Sequence, residues 1–344
     1  MPAYIHSFGT YIPPREISNE ELSQFPPASL ARIKIKTGVE KRRFSDGGFS
    51  SDLAARAAAD CLSKNPFPRD SVDTVILATS TPDRMIPATA ALVSERLNIK
   101  NAFAFDINSV CSGGLAALML AASLVESGAA ANVLVIAADV YSRILNPRDF
   151  STYPYFGDGA AALIVSREKS GMGHNNAAAL IKKAAAMALD AEGVDRPCLI
   201  SVMLTDNEGA AEIRPVDLKT PSDSYFSMNG REVFDFAVSR VPEVILHLMD
   251  RDGISMGEVR QFILHQANIN IIEKISDVIG SDISMFFTNL QKYGNMAGAS
   301  CLVALSEYLD SSPEIKDGFI ILSSFGGGLS WGALSLEISG RCHG

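Results

Sequence analysis

The chain contains 344 residues, of which 47% are hydrophobic and 20% are charged, a composition typical of a globular protein with a large core. This composition excludes an intrinsically disordered chain, because disorder requires lower hydrophobicity and a higher density of net charge. The formal net charge of −9 argues against a nucleic-acid partner, since binding to phosphates requires a basic surface.

The first half of the chain alternates predicted strands with predicted helices. Apolar runs rich in β-branched residues predict buried strands at residues 72–78, 102–107, 133–138 and 160–165. The apolar pattern predicts one helix at residues 88–97, and an Ala- and Leu-rich helix begins at Cys111 and ends near Gly128. This alternation indicates an α/β protein with buried strands.

The second half repeats the same order of elements. Strands are predicted at residues 259–264, 319–323 and 333–338, with one helix at residues 271–279 and another that ends near Leu309. The loop that contains Asn295 enters its helix at a place that matches the Cys111 loop. We therefore predict a duplicated αβαβα unit, with residues 1–170 and 228–344 as the two halves and residues 171–227 as an insertion between them.

Three features bear on the compartment of the protein. The longest apolar stretch, at residues 115–125, is too short to cross a bilayer, and the N-terminus has no basic region followed by an apolar run. The five cysteines are scattered, with no CxxC pair, which argues for free thiols in a reducing cytoplasm and against a zinc site. We expect a cytoplasmic protein with no membrane span and no metal.

A basic cluster lies near the start of this acidic chain. It comprises Arg32, Lys34, Lys36, Lys41, Arg42 and Arg43. Two interpretations stay open, an ordinary solvated surface and a docking patch for a phosphorylated ligand.

Cys111 is the strongest candidate for a catalytic residue. It precedes Gly113 and Gly114 and opens an apolar helix, where free backbone N–H groups and the helix dipole stabilise a thiolate. A thiolate in this position is a suitable nucleophile for a thioester carbonyl. The other four cysteines are interpreted as small core residues.

His265 and Asn295 are candidates because of their positions in the repeat. His265 directly follows a predicted strand, and Asn295 lies in a turn beside Gly294. Taken singly, the first is most simply a structural histidine and the second an ordinary turn residue. Their matched positions relative to Cys111 favour a shared site.

Five motifs make the sequence similar to the β-ketoacyl-acyl-carrier-protein synthase III group of the thiolase superfamily. In chain order they are Ser109-Val110-Cys111-Ser112-Gly113-Gly114, Phe156-Gly157-Asp158-Gly159-Ala160, His265-Gln266-Ala267-Asn268, Tyr293-Gly294-Asn295 and Ser324-Phe325-Gly326-Gly327-Gly328-Leu329-Ser330-Trp331-Gly332. The resemblance covers nearly the whole chain and implies the five-layer, duplicated αβαβα thiolase-like fold.

The resemblance also implies a two-stage reaction with acyl-CoA and a malonyl thioester as substrates and with no cofactor. Cys111 takes up the acyl group, with the backbone N–H groups of Cys111 and Gly327 as the oxyanion hole. His265 and Asn295 then stabilise the enolate that forms when the malonyl group loses carbon dioxide, and Phe325 forms an apolar wall beside the malonyl carboxylate.

Further substrate-binding residues follow from alignment with the family. Arg32 and Phe150 stand where the family places a tryptophan and an arginine around the adenine of coenzyme A, so the pair is expected in exchanged places. The remaining expected substrate-binding residues are Lys36, Gln266 and Asn268, together with Met85 and Ile86 at the gate of the acyl pocket. The gate loop reaches the partner subunit in the family, which implies a homodimer.

One departure concerns the protein partner. The family's main carrier-docking arginine corresponds to Asn270 here, followed by Asp277 where basic residues are usual. An acyl carrier protein therefore stays a candidate partner without its usual docking residue, and a specialised pathway is as plausible as primary fatty-acid synthesis.

The sequence leaves three alternatives to a condensing enzyme. A papain-like protease also uses cysteine, histidine and asparagine, but its local signature around the cysteine is missing. An acyltransferase that passes the acyl group to an alcohol or amine would not need Asn295. A silent partner subunit would have little reason to keep all three polar residues.

Overall fold

Strands and helices alternate along the chain as the apolar pattern predicts. The computed structural model describes residues 2–64, 67–169, 225–312 and 316–339, together with strand segments at 178–181, 204–205 and 211–213. The strands are β1 Ala3–Tyr11, β2 Arg15–Ser18, β3 Lys41–Phe44, β4 Thr74–Ala78, β5 Phe103–Ile107, β6 Asn132–Val140, β7 Asp158–Ser166, β8 Ala178–Ile181, β9 Leu204–Thr205, β10 Ala211–Ile213, β11 Phe226–Met228, β12 Val259–Leu264, β13 Gly318–Gly326 and β14 Ser330–Ser339. The helices are α1 Pro27–Thr37, α2 Ser50–Lys64, α3 Thr89–Arg96, α4 Gly113–Ser127, α5 Gly230–Asp252, α6 Ile269–Ile279, α7 Leu290–Tyr293 and α8 Ser300–Ser311.

The two halves of the chain build matching parts of one mixed sheet, which runs in the order β12-β13-β14-β8-β1-β7-β6-β4-β5. In the first half β4 and β6 are parallel and β7 is antiparallel to β6. In the second half β12 and β13 are parallel and β14 is antiparallel to β13. The predicted duplication is therefore confirmed at the level of strand topology.

The strand β8 lies within residues 171–227, the segment predicted to be an insertion. It pairs antiparallel with β14 on one side and with β1 on the other, so it occupies in the second half the place that β1 occupies in the first. Most of residues 171–227 lie outside the described residues. The division of the chain at residues 170 and 227 stays a prediction.

Five layers result from the way the helices cover this sheet. Helices α4 and α8 pack together in the middle, where Leu118 and Leu302 share a core with strands of both halves. Helices α2 and α3 cover the outer face of the first half, and α5 and α6 cover the outer face of the second. This α/β/α/β/α order is the thiolase-like fold that was predicted.

The central position of α4 explains its composition. By length and apolar composition alone, residues Val110–Ser127 could cross a membrane, which corrects the estimate that the longest apolar stretch is too short. However, 61% of that window is buried inside the molecule, between two sheet surfaces and α8. Because most of α4 packs in the core, its apolar composition reflects burial inside the molecule.

Candidate active site

Cys111 lies in a 3-10 turn, Val110–Ser112, that leads directly into α4. The turn is held by Ser324, whose hydroxyl donates to the carbonyl oxygen of Cys111 at 2.9 Å. Gly326 packs so closely that a Cβ there would lie 2.9 Å from the Cβ of Cys111. Val110 has a φ of +46°, a conformation that a β-branched residue rarely adopts. The nucleophile candidate therefore stands on a strained turn fixed from the opposite half of the molecule.

The structure corrects the expected ionisation of Cys111. Burial raises the pKa of its thiol well above the ordinary value, and the neighbouring carboxylate of Asp139 adds to the effect. The helix dipole contributes only about 0.3–1 kcal/mol at an ordinary helix end, less than the cost of burying a charge. The thiol of the substrate-free protein is therefore neutral.

His265 follows β12 and is buried, with 2% of its surface exposed. Its backbone N–H donates to the carbonyl oxygen of Ser323 at 2.8 Å, and its ring meets that of Phe325 edge to face, with the centroids 5.2 Å apart. Burial lowers the pKa of the imidazole to about 3, so the ring is neutral at physiological pH. The Nδ1 atom is buried without a hydrogen-bond partner, which leaves Nε2 as the nitrogen able to serve a ligand.

The backbone of Asn295 is hydrogen-bonded to the Phe156-Gly157-Asp158-Gly159 motif and to Tyr155, the residue before it. Its N–H donates to the carbonyl oxygen of Tyr155 at 2.8 Å, and its carbonyl oxygen accepts from the N–H of Gly157 at 2.9 Å. A Cβ on Gly157 would lie 2.2 Å from the carbonyl oxygen of Tyr293, so only glycine permits this approach. The side-chain oxygen of Asn295 accepts from the N–H of Ala297 at 2.8 Å, so the amide NH₂ faces the cavity as a donor.

The same local geometry corrects the register of the internal repeat. The side-chain oxygen of Asn108 accepts from the N–H of Val110 at 3.1 Å, as that of Asn295 does from Ala297. Ala297 also shares the positive φ of Val110, at +47°. Asn295 is therefore the structural counterpart of Asn108 and not of Cys111. The observed alignment of the two turns differs from the predicted alignment by three residues.

One cavity of about 690 Å³ brings the three principal candidates together. Its wall includes Cys111, His265 and Asn295, as the sequence analysis expects of a shared site. Five more of the predicted site residues line it: Lys36, Phe150, Asn268, Phe325 and Gly327. These residues come from α1, from the loop before β7, and from the ends of β12 and β13.

Four predicted substrate-binding residues do not line this cavity. Arg32 is exposed on α1, and Met85 and Ile86 are exposed at 95% and 85% in a surface loop. Gln266 is fully buried and its side chain is satisfied internally: its amide NH₂ donates to the carbonyl oxygens of Leu264 and Phe287, and its side-chain oxygen accepts from the N–H of Asn289. The assignment of Gln266 to substrate binding is therefore replaced by an internal role.

Sequence reasoning missed the apolar floor beside Cys111. There the ring of Tyr141 stacks on Phe156 at 4.8 Å, and Phe226 packs edge to face against both. Phe156 was visible in a motif but was given no role, and Phe226 follows a stretch with no clear pattern. This cluster limits the space next to the sulfur.

A buried carboxylate explains another part of the Phe156-Gly157-Asp158-Gly159 motif. Asp158 accepts from the N–H groups of Ser45 and Ser142 at 2.7 and 2.9 Å, and also from the Ser142 hydroxyl. Burial raises the pKa of Asp158 to about 6 in spite of these bonds. Its role is to tie the loop after β3 and the end of β6 to β7. No group of three potential metal ligands lies together in the described part of the chain.

Comparison with known proteins places this geometry in a family. The family model described as 3-oxoacyl-[acyl-carrier-protein (ACP)] synthase III matches residues 105–183. The model for the C-terminal domain of the same family matches residues 249–338. A β-ketoacyl-[acyl-carrier-protein] synthase III of Clostridium perfringens is 37% identical over 96% of this chain and 98% of that protein. One of Lactococcus lactis is 34% identical over 98% and 99%.

Solved structures with a similar fold carry the same family name. The crystal structure of a 3-oxoacyl-[acyl-carrier-protein] synthase III of Aquifex aeolicus superposes with a TM-score of 0.85 at 31% identity, over 97% of this chain and 99% of that one. That of Thermus thermophilus superposes with a TM-score of 0.84 at 33% identity, over 98% and 99%. The chain therefore belongs to the 3-oxoacyl-[acyl-carrier-protein] synthase III family.

Proposed function

We propose that the protein condenses an acyl thioester with a malonyl thioester, with loss of carbon dioxide, through an acyl-Cys111 intermediate. Family membership supports the reaction, and the shared cavity of Cys111, His265 and Asn295 is the single observation that carries the assignment of residues. A donor at Asn295 favours this reaction over acyl transfer to an alcohol or amine, because only an enolate requires it.

In the first stage the sulfur of Cys111 attacks the carbonyl carbon of an acyl-CoA. The C–S bond to coenzyme A breaks, and the thiol proton of Cys111 leaves with the coenzyme A thiol. The developing oxyanion accepts from the backbone N–H groups of Cys111 and Gly327, which are fixed before substrate arrives. Gly326 supports this arrangement, since its close packing holds the Gly327 segment against the Cys111 turn.

In the second stage the malonyl thioester oxygen accepts from Nε2 of His265 and from the amide NH₂ of Asn295. Two neutral donors stabilise the enolate left by carbon dioxide without placing a competing charge beside it. The apolar ring of Phe325 disfavours the malonyl carboxylate. The enolate carbon attacks the acyl carbonyl carbon and the C–S bond to Cys111 breaks. The departing thiolate takes up a proton from solvent, which the raised pKa of the buried Cys111 favours.

Several polar and aromatic residues of the cavity wall support a pantetheine-linked substrate. Lys36, Phe150 and Asn268 line the same cavity as Cys111, and Arg32 is exposed on the same helix as Lys36. The side chain of Asn270, at the position of the usual docking arginine, donates to the carbonyl oxygen of Lys36 at 2.6 Å. We infer that coenzyme A delivers the primer and that carrier docking, where it occurs, relies on the basic residues of α1.

We also propose that the protein is a cytoplasmic homodimer. Among the described strands β5 pairs only with β4, at the end of the sheet, and its Phe103 is 71% exposed. The exposed Met85 and Ile86 lie near the start of α3, which packs beside β5. Apolar side chains next to a free strand edge are expected at an interface between two copies of the chain. No metal or cofactor is required beyond the thioester substrates.

Intact-mass spectrometry after exposure to acetyl-CoA, butyryl-CoA and hexanoyl-CoA tests the nucleophile. The wild-type protein is expected to gain one acyl group, and Cys111→Ala is expected to gain none. Cys301→Ala is the matched control, because Cys301 is also buried but lies in α8. An acyl adduct on Cys111→Ala would refute the assignment.

A further inference from the structure

The two proposed donors come from different segments of the second half. His265 directly follows β12, whereas Asn295 lies in the turn between α7 and α8. A shared oxyanion can accept from both only if these segments hold a fixed separation, since hydrogen bonds weaken steeply with distance and angle. Polar side chains outside the cavity connect the two segments.

Gln266 forms the first part of this connection. It directly follows His265 and is fully buried. Its NH₂ group donates to the carbonyl oxygens of Leu264 at 2.8 Å and Phe287 at 3.2 Å, and its side-chain oxygen accepts from the N–H of Asn289 at 3.0 Å. The residue beside His265 is thereby bonded to the strand behind it and to the chain that leads into α7.

Glu307 of α8 forms the second part. One of its carboxylate oxygens accepts from the side-chain amide of the buried Asn289 at 3.0 Å, and the other accepts from the hydroxyl of Tyr293. Burial and the bond to Glu307 raise the pKa of Tyr293, so its hydroxyl stays protonated and donates. Tyr293 lies two residues before Asn295, and α8 begins five residues after Asn295.

We propose that Gln266, Asn289, Glu307 and Tyr293 form a positioning network that fixes the two donors of the malonyl oxyanion relative to each other, an inference that rests on the proposed function. The carboxylate of Glu307 is the central member, because it receives two converging donors and hydrogen bonds to a charged acceptor are the stronger ones. None of the four lines the cavity, so they act through His265 and Asn295 rather than on substrate.

The test separates the two stages of the reaction. Carbon dioxide release is measured from malonyl-CoA and from malonyl-acyl carrier protein, and formation of the acetyl-Cys111 adduct is measured separately with acetyl-CoA. The variants are Tyr293→Phe, which removes one hydroxyl, and Glu307→Gln, which leaves an oxygen for only one of the two donors. Tyr308→Phe is the matched control, because it removes a hydroxyl from α8, the helix of Glu307, and this hydroxyl bonds to Ser312 and not to a member of the network.

The network predicts that carbon dioxide release falls about tenfold in both variants, whereas adduct formation stays within about twofold of the wild type. Equal losses in the two stages would show a general structural role, and unchanged carbon dioxide release would show no role, so either result overturns the network. Wild-type protein that releases no carbon dioxide from either malonyl substrate would instead overturn the proposed function. The Tyr293→Phe variant keeps the test valid if Glu307→Gln fails to fold.

Discussion

The buried imidazole of His265 makes the pH dependence of folding stability predictable. The folded-state pKa is about 3, because burial disfavours the charged ring, whereas the ring titrates at about 6.5 in the unfolded chain. As the pH falls through 6.5, the unfolded state takes up a proton that the folded state does not. Stability is therefore fully present above pH 6.5 and is lost progressively as the pH falls toward 3.

The size of the effect follows from the two pKa values. At pH 5 the unfolded chain gains about 2 kcal/mol from protonating this one ring, whereas at pH 7.5 it gains almost nothing. Urea unfolding at both pH values, on the wild type and on His265→Gln at one protein concentration, isolates this contribution. The wild type is expected to lose about 2 kcal/mol more than the variant on going from pH 7.5 to pH 5.

Because both proteins share every other titrating group, those contributions cancel in the comparison. A difference below about 0.5 kcal/mol would mean that the ring is not held with a lowered pKa. An imidazole with an ordinary pKa would be partly protonated near neutral pH, so His265 would no longer be an exclusively neutral donor in the proposed second stage.

Two further predictions concern the substrate pocket and the assembly. Phe226→Ala removes one of the three rings beside Cys111, so the ratio of hexanoyl to acetyl adduct in a competition measured by intact mass should rise about tenfold. An unchanged ratio would show that the aromatic floor does not limit the primer. Met85→Asp should weaken the proposed homodimer at least about tenfold, because it places a charge where an apolar side chain is 95% exposed in the single chain. Light scattering should give twice the 36.8 kDa chain mass for the wild type, and a wild type that remains monomeric would refute the interface.

The internal repeat shows what sequence patterns predict correctly, the strands and buried helices, and what they predict wrongly, the alignment of two loops. Apolar periodicity predicted the strand at residues 259–264 at its observed bounds, and the largely apolar composition of α4 agrees with its place in the core. The same overlay matched Asn295 to Cys111, whereas the hydrogen bonds match it to Asn108. Periodicity reports which face of an element is buried, but the alignment of two loops depends on backbone dihedrals that the sequence does not display.

The motifs predicted which side chains share one cavity, but they did not predict the environment of each side chain. The order of Cys111, His265 and Asn295 within their motifs was sufficient to predict a shared site, and glycine at position 157 follows from a contact only glycine allows. Only the tertiary structure decided that Gln266 is internal, that Cys111 is a neutral thiol and that Glu307 links the two donor segments. Burial, solvation and side-chain partners are properties of the packed chain, because each arises from segments distant in sequence that folding brings together.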